Sequence, residues 1–308
     1  MKKKFINILI ILILTTLFLH SQVPEFEGPV DLGIVDTSIL NEASGIAASK
    51  INKNVLWTHN DEGSDPRIFA INSSAKILAI YYLDINDGRD WEDIATGPGP
   101  DEGSEYIYLG DIGDNLARFD KKYIYRFKEP FVDEKQNLIT DTINIIDKIS
   151  FKYPDKIYDA EAVMLDPITK DLYVVSKRLQ NEKVFRLPYP QSTSKTITAE
   201  YIATLPFGFE GLDGTGVSAG DISSDGSEIL IKNYSKMYFF KRSKSATIQD
   251  ALKQNPAEVH YQIEPQGEAV CWHPESSGYY TLSETSRFNI PAHLYFYPRK
   301  VSGVKKKH

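Results

Sequence analysis

From Glu42 onward the chain alternates short apolar runs with clusters of Gly, Asp, Asn and Ser. Most runs span four to eight residues and are rich in Ile, Val, Tyr and Phe, as strands of half-buried sheets are. Five segments repeat one pattern: EASGIA from Glu42, EDIATG from Glu92, EAVMLD from Glu161, DISSDG from Asp221 and EAVCWH from Glu268. In each, a carboxylate leads a run of small and apolar residues. Further strands follow, as in NVLWTHN, RIFAIN and ILAIYYLD after Glu42, or EILIKNY, KMYFFKR and AEVHYQI after Asp221. The lead acids are 50, 69, 60 and 47 residues apart, a period that suits one four-stranded blade each.

The pattern predicts an all-β chain forming a single β-propeller of five four-stranded blades. Six blades is the alternative and would need a blade hidden in the longer intervals. A β-sandwich would leave the repeated acid unexplained. In the second unit the strands are EYIYLGD, KYIYRF and an outer INIIDKISF; in the third DLYVVSKR, KVFRLP and ITAEYIATL. The fifth unit, with GYYTLSE and HLYFYPR, lacks an outer strand, and PVDLGIV before Glu42 is a spare one. Pairing the two closes the ring and hides its sheet edges. SATIQDALKQ from Ser245 is the one amphipathic helical stretch, an excursion between strands.

Residues 1–21 read as a signal peptide: Lys2, Lys3 and Lys4 precede an apolar stretch from Phe5 to Leu19, short for a membrane span. Residues 22–308 form the propeller domain. The mature protein is expected to be periplasmic or secreted, with no integral membrane span after cleavage. Removing the signal takes the net charge from −7 to −10, three lysines and no acid being lost. That balance argues against nucleic acid and admits divalent cations. The KKKH end reads as a solvated tail. The single cysteine, Cys271, excludes an internal disulfide and reads as a small buried hydrophobe.

Inner strands of a propeller converge on one axis, so Glu42, Glu92, Glu161, Asp221 and Glu268 are expected to form a ring of acids at one end. Crowded carboxylates need a cation, a basic side chain or amide donors. Calcium, which takes six to eight oxygen ligands, fits; the alternative is that the acids tie neighbouring blades together. A second ring follows the second strands, at the same end. It holds His59, Asn60 and Asp61, then Asp111, Asp114 and Asn115 of GDIGDN, then Lys177, Arg178, Lys232, Asn233, Tyr234 and Glu284. GDIGDN is a metal-competent loop, or an Asx-type turn. The metal set is therefore Glu42, Glu92, Asp111, Asp114, Glu161, Asp221 and Glu268. The catalytic set is His59 as acid or base, Asp61, and Lys177, Arg178 and Lys232 for an anion. The Tyr pairs of the strands read as packing.

The segments EASGIAASKINKNVLWTHNDEGSDPRIFAI, DWEDIATGPG, YIYLGDIGDN, YDAEAVMLDP, SAGDISSDG and QGEAVCWHP resemble an exported bacterial β-propeller family. Its members have no assigned function or are loosely grouped with phytase-like propellers. That resemblance implies Ca²⁺ held by Asp and Glu residues and phosphate held by Lys177, Arg178 and Lys232. No phytase catalytic residue can be matched position by position. Three functions follow: a Ca²⁺-dependent hydrolase of phosphoesters or other anionic substrates, a non-catalytic propeller binding a ligand or protein partner, and a glycan-cleaving enzyme using two of Glu42, Glu92 and Glu268.

Overall fold

The computed structural model describes residues 23–61, 63–86, 88–208, 216–285 and 290–301. The proposed signal segment and the KKKH tail lie outside them. No helix among the described residues is long and apolar enough to cross a membrane.

The chain is a five-bladed β-propeller. Blade I is β2 (Ala43–Ala48), β3 (Val55–Asn60), β4 (Arg67–Asn72) and β5 (Ile77–Leu83). Blade II is β6 (Trp91–Pro98), β7 (Glu105–Asp111), β8 (Lys122–Lys128) and β10 (Asp147–Lys152). Blade III is β11 (Asp159–Leu165), β12 (Leu172–Lys177), β13 (Lys183–Leu187) and β15 (Glu200–Thr204), and blade IV is β16 (Val217–Ile222), β17 (Glu228–Asn233), β18 (Met237–Lys241) and β19 (Ala257–Val259). Blade V is β20 (Gly267–Trp272), β21 (Gly278–Ser283) and β22 (His293–Pro298), completed by β1 (Val30–Ile34) in antiparallel register with β22. The N-terminal strand thus closes the ring as its composition predicts. The innermost strands touch in the order β2, β6, β11, β16, β20 and back to β2, so five sheets surround one axis.

Five apolar clusters fill the five blade interfaces. Trp57 and Tyr125 lie in the cluster between blades I and II, Trp272 and Tyr279 in that between blades IV and V. Tyr279 stacks on Tyr297 with ring centroids 4.7 Å apart, and Cys271 is buried as a free thiol.

INIIDKISF supplies the outer strand of blade II as expected, in β10. An unexpected strand lies just before it: β9 (Ile139–Ile143) runs parallel to β5 at the edge of blade I. The same device recurs twice. β14 (Ile197–Thr198) pairs in parallel with β10, and α1 (Ile248–Leu252) packs on β15, with Gln249 Nε2 donating to Ile202 O at 2.9 Å. Thus the link between third and fourth strands reaches back, in blades II, III and IV, to cover the outer edge of the preceding blade, an edge otherwise open to pairing. α1 begins on a capping box, Thr247 with Asp250.

Buried polar side chains also join the blades. Asp93 on β6 accepts from Val163 N on β11 and from Ile94 N, each at 2.9 Å. Asp221 on β16 accepts from Trp272 N on β20 and from Ile222 N, each at 2.8 Å. Asp221 therefore acts as an inter-blade clamp within the wall of the ring. Asp93→Ala and Asp221→Ala would leave buried amides without acceptors. Each is expected to lower the unfolding free energy by about 2–4 kcal/mol in a urea titration, with Asp221→Asn losing less because it keeps an acceptor. An unchanged midpoint for Asp221→Ala would contradict the clamp.

Candidate functional site

Every innermost strand breaks register against its neighbour at one equivalent place. The residue skipped is Ser44, Glu92, Glu161, Ser218 and Glu268 in blades I to V. Such a bulge turns an extra side chain out of the ladder, and here it aims five of them at the channel mouth. The ring is therefore three glutamates and two serines. This corrects the expected alignment on acids. Glu42 lies two residues before Ser44, at the position of Asp90 and Asp159 in blades II and III. Asp221 lies three residues beyond Ser218, down in the wall. Ser44 Oγ donates to Glu92 O and Ser218 Oγ to Gly267 O, each at 3.0 Å, so the serines too link neighbouring blades.

The residues that follow the second strands form the second layer. Lys177 Nζ meets Glu161 Oε1 at 2.7 Å and donates to Tyr234 Oη at 3.2 Å. Tyr234 in turn donates to Glu268 Oε1, while Glu268 Oε2 is buried with no hydrogen-bond partner. Gln266 Nε2 donates to Glu284 Oε2 at 2.9 Å. Arg178 Nε pairs with Asp159 Oδ2 at 2.7 Å, and its Nη2 bonds Asn115.

Acid crowding sets the electrostatics. Burial, then the neighbouring Glu161 and Asp61 charges, push Glu92 well above the ordinary carboxyl range. Burial lifts Glu161 to about 8 despite the Lys177 ammonium beside it, and Glu92 and Glu161 are in side-chain hydrogen-bond contact. One proton held between two carboxyl groups is the expected outcome. Burial and the charge of Glu268 raise Glu284 to about 8. Burial works against the Lys177 charge, yet Glu161, Glu268 and Tyr234 together hold it charged well above its usual range.

Two carboxylate triads share Glu92. Asp61, Asp90 and Glu92 have ligand oxygens within 4.8 Å of one another, as do Glu92, Asp159 and Glu161. Asp90 and Asp159 were not in the expected metal set. Their signal in the sequence is an acid two places before the lead glutamate, DWE and DAE. The GDIGDN loop serves this site through Gly113. A Cβ there would collide with Glu92 Oε1 and Asp90 Oδ2, so only glycine lets the two acids lie on the backbone.

The loop's acids are otherwise engaged. Asp111 Oδ1 accepts from Asp90 N at 3.2 Å and faces Arg89 at 3.6 Å. Asp114 binds Lys122 at 2.9 Å and accepts from Arg118 N and Phe119 N. His59 is fully buried against Gly45 and the edge of Trp91, its Nδ1 on Asn60 O at 3.0 Å, and burial lowers its pKa to about 4. Lys232 is also fully buried, its Nζ on Ser218 Oγ at 3.0 Å and on Gly267 O. Burial lowers it to about 8. The structure thus brings Asp61, Glu92, Glu161, Lys177, Glu268 and Glu284 to the mouth and sets His59, Asp221 and Lys232 in the protein interior.

No protein-family profile and no curated protein sequence matches the chain. Similar solved structures include a luciferin-regenerating enzyme (12% identity, TM-score 0.48, 91% of this chain and 100% of that one). Others are the PQQ-bound aldose sugar dehydrogenase of Streptomyces coelicolor (9%, 0.49, 90% and 100%) and the hydrazine synthase of Kuenenia stuttgartiensis (12%, 0.45, 85% and 84%). At such identities the likeness concerns fold alone, and the sheet topology already establishes the fold.

The raised acids have a consequence for stability. Burial lifts Glu182 and Glu264 to about 7, and Glu161 and Glu284 to about 8. In the unfolded chain a glutamate ionises near ~4.3. The folded state binds these protons more tightly, so the stabilisation is full below that value and is lost as pH rises through about 7 to 8. Without divalent cations, the unfolding midpoint is expected to fall from about pH 5 to about pH 8. Above that, Lys232 acts in the opposite sense, since its folded pKa is lowered. A midpoint that rises over the same window would contradict the proton-sharing mouth.

Proposed function

We propose that the chain is an exported propeller protein whose channel mouth binds a divalent cation, Ca²⁺ first, and through it an anionic ligand. The observation that carries this is the pair of carboxylate triads sharing Glu92. Calcium–oxygen distances of about 2.3–2.6 Å allow two ligands of one ion to lie up to about 4.6–5.2 Å apart, and the oxygens of each triad lie within 4.8 Å of one another. The donors are all hard oxygens, which suit Ca²⁺ or Mg²⁺ over softer metals. The unpartnered Glu268 Oε2 adds unmet demand at the same mouth.

Lys177 already neutralises Glu161 in the second triad. The first triad, Asp61, Asp90 and Glu92, is therefore the better cation site. Lys177 and Arg178 then face the ligand's negative charge from the other side. A cation held there would polarise a phosphoryl oxygen or acidify a bound water, as a phosphoester hydrolase requires. His59 and Lys232, both sealed from solvent, have packing roles in this reading.

Their burial favours a second reading, a propeller that binds its ligand without turnover, since it removes two of the expected catalytic groups from the mouth. Glycan cleavage fits less well. Of its candidates Glu42, Glu92 and Glu268, Glu42 stands off the ring of bulged positions and Glu268 is held by Tyr234.

Thermal unfolding with EDTA and with Ca²⁺ tests the reading. Saturating Ca²⁺ is expected to raise the midpoint by about 5 °C or more. Glu92→Gln and Gly113→Ala should abolish the shift, and Asp221→Asn should retain it. Hydrolysis of p-nitrophenyl phosphate should then vanish with chelator and with Lys177→Ala. Equal midpoints in EDTA and Ca²⁺ would remove the cation; a shift without turnover would leave the binding protein.

A further inference from the structure

A cavity of about 440 Å³ lies at the far end of the propeller from the mouth, between blades I and V. It is of the size that holds small ligands. β2 runs from the mouth down to Ala48, and the turn after it, residues 49–54, forms one wall of the cavity. Blade II anchors that turn. Ser49 Oγ donates to Glu129 Oε1, Lys50 N donates to Glu129 Oε2 at 3.2 Å, and Asn52 Oδ1 accepts from Val132 N at 2.8 Å. Ser49, Asn52 and Glu129 are all buried. Lys50, Ile51 and Lys53 of the same turn line the cavity. Val55, Leu56 and Tyr280 supply apolar lining, and the fixed turn holds Ile51 beside it, 47% exposed. Lys50 Nζ rests on a neutral partner, Ser224 Oγ at 3.0 Å, and neither Lys50 nor Lys53 is in an ion pair among the described residues. Among the described residues of the wall, Glu275 alone is acidic. In a chain with 42 acids to 35 lysines and arginines, this excess of cations is local. His273 adds a neutral donor. Burial lowers its pKa, and its Nδ1 accepts from Glu275 N at 3.2 Å, which leaves the ring proton on Nε2.

We infer that this cavity binds a small organic carboxylate carrying an apolar ring or chain, its carboxylate paired with Lys50 and Lys53 and its apolar part laid against Leu56 and Tyr280. A phosphate fits poorly. The backbone N–H groups that could cradle one are spent, Lys50 N on Glu129 and Asn52 N on Ser49 Oγ at 2.7 Å. A strongly hydrated anion would also lose water against the apolar lining with nothing in return. A neutral apolar ligand would strip water from two ammonium groups and pair neither. A carboxylate with an apolar substituent meets both demands, a charge-assisted hydrogen bond at one end and apolar burial at the other. None of the mouth residues takes part, so the cavity stands or falls apart from the cation reading.

Phenylacetate is titrated in EDTA and followed by the backbone amide ¹H–¹⁵N signals. Phenylacetamide keeps the ring without the charge, acetate keeps the charge without the ring, and inorganic phosphate probes a plain anion site. Phenylacetate is expected to move the signals of Lys50, Ile51, Lys53 and His273 saturably and to leave those of Glu92, Glu161 and Lys177 at the mouth in place. Phenylacetamide and acetate should each bind about tenfold more weakly. Lys53 is exposed, so Lys53→Met should leave the unfolding midpoint unchanged while weakening phenylacetate about fivefold, and Lys50→Met should weaken it to a similar degree. The site is overturned if phenylacetate leaves these signals still up to its solubility limit or moves both ends of the propeller together. Equal binding of phenylacetamide, tighter binding of phosphate, or unchanged affinity in both lysine variants would overturn it as well.

Discussion

Five inner strands meeting on one axis force the carboxyl groups of Glu92 and Glu161 into contact, and the remainder of the mouth is arranged around that contact. Two buried carboxylates side by side cannot both ionise without compensation. The protein compensates with a retained proton on one side and the Lys177 ammonium on the other. Tyr234 links that ammonium to Glu268, and Arg178 covers Asp159. In the proposed reading a divalent cation takes the place of that proton.

The bulges make this arrangement repeatable. A plain strand would bury alternate side chains and offer the mouth nothing in particular. One skipped residue per inner strand yields an inward-aimed position in each blade without disturbing the apolar interfaces below. Where the position is Glu, it contributes charge; where it is Ser, as at Ser44 and Ser218, it fastens the next blade's backbone. Asp93 and Asp221 do the fastening lower in the wall. Acids of similar appearance in the sequence thus divide between the channel mouth and the wall according to a register shift of a few residues.

That shift explains what the sequence could and could not reveal. The blades were legible because apolar runs and turn clusters alternate with a steady period, and PVDLGIV was legible as the closing strand because blade V had a place for it. INIIDKISF was legible as the outer strand of blade II, whereas ITDTI just before it went unread, because β pattern shows that a segment pairs but not with which edge. Glu42 and Asp221 were aligned with the glutamates by residue type, whereas the ladder aligns Ser44 and Ser218 instead. In GDIGDN the acids drew attention, yet Gly113 is the residue the triad depends on, since the contact is between backbone and carboxylates from another segment. His59 and Lys232 lie one ladder step deeper than Asn60 and Asn233, enough to seal both from solvent, and no local pattern marks that difference.

The central claim is that a cation on the first triad and the proton shared with Glu161 compete for Glu92. Calorimetric titration of Ca²⁺ near neutral pH, repeated in buffers of different ionisation enthalpy, measures the protons released per ion bound. The account predicts a net release of about one proton per Ca²⁺ that shrinks as pH rises past the Glu161 value of about 8. Ca²⁺ binding with no proton release, or no binding at all, would contradict it.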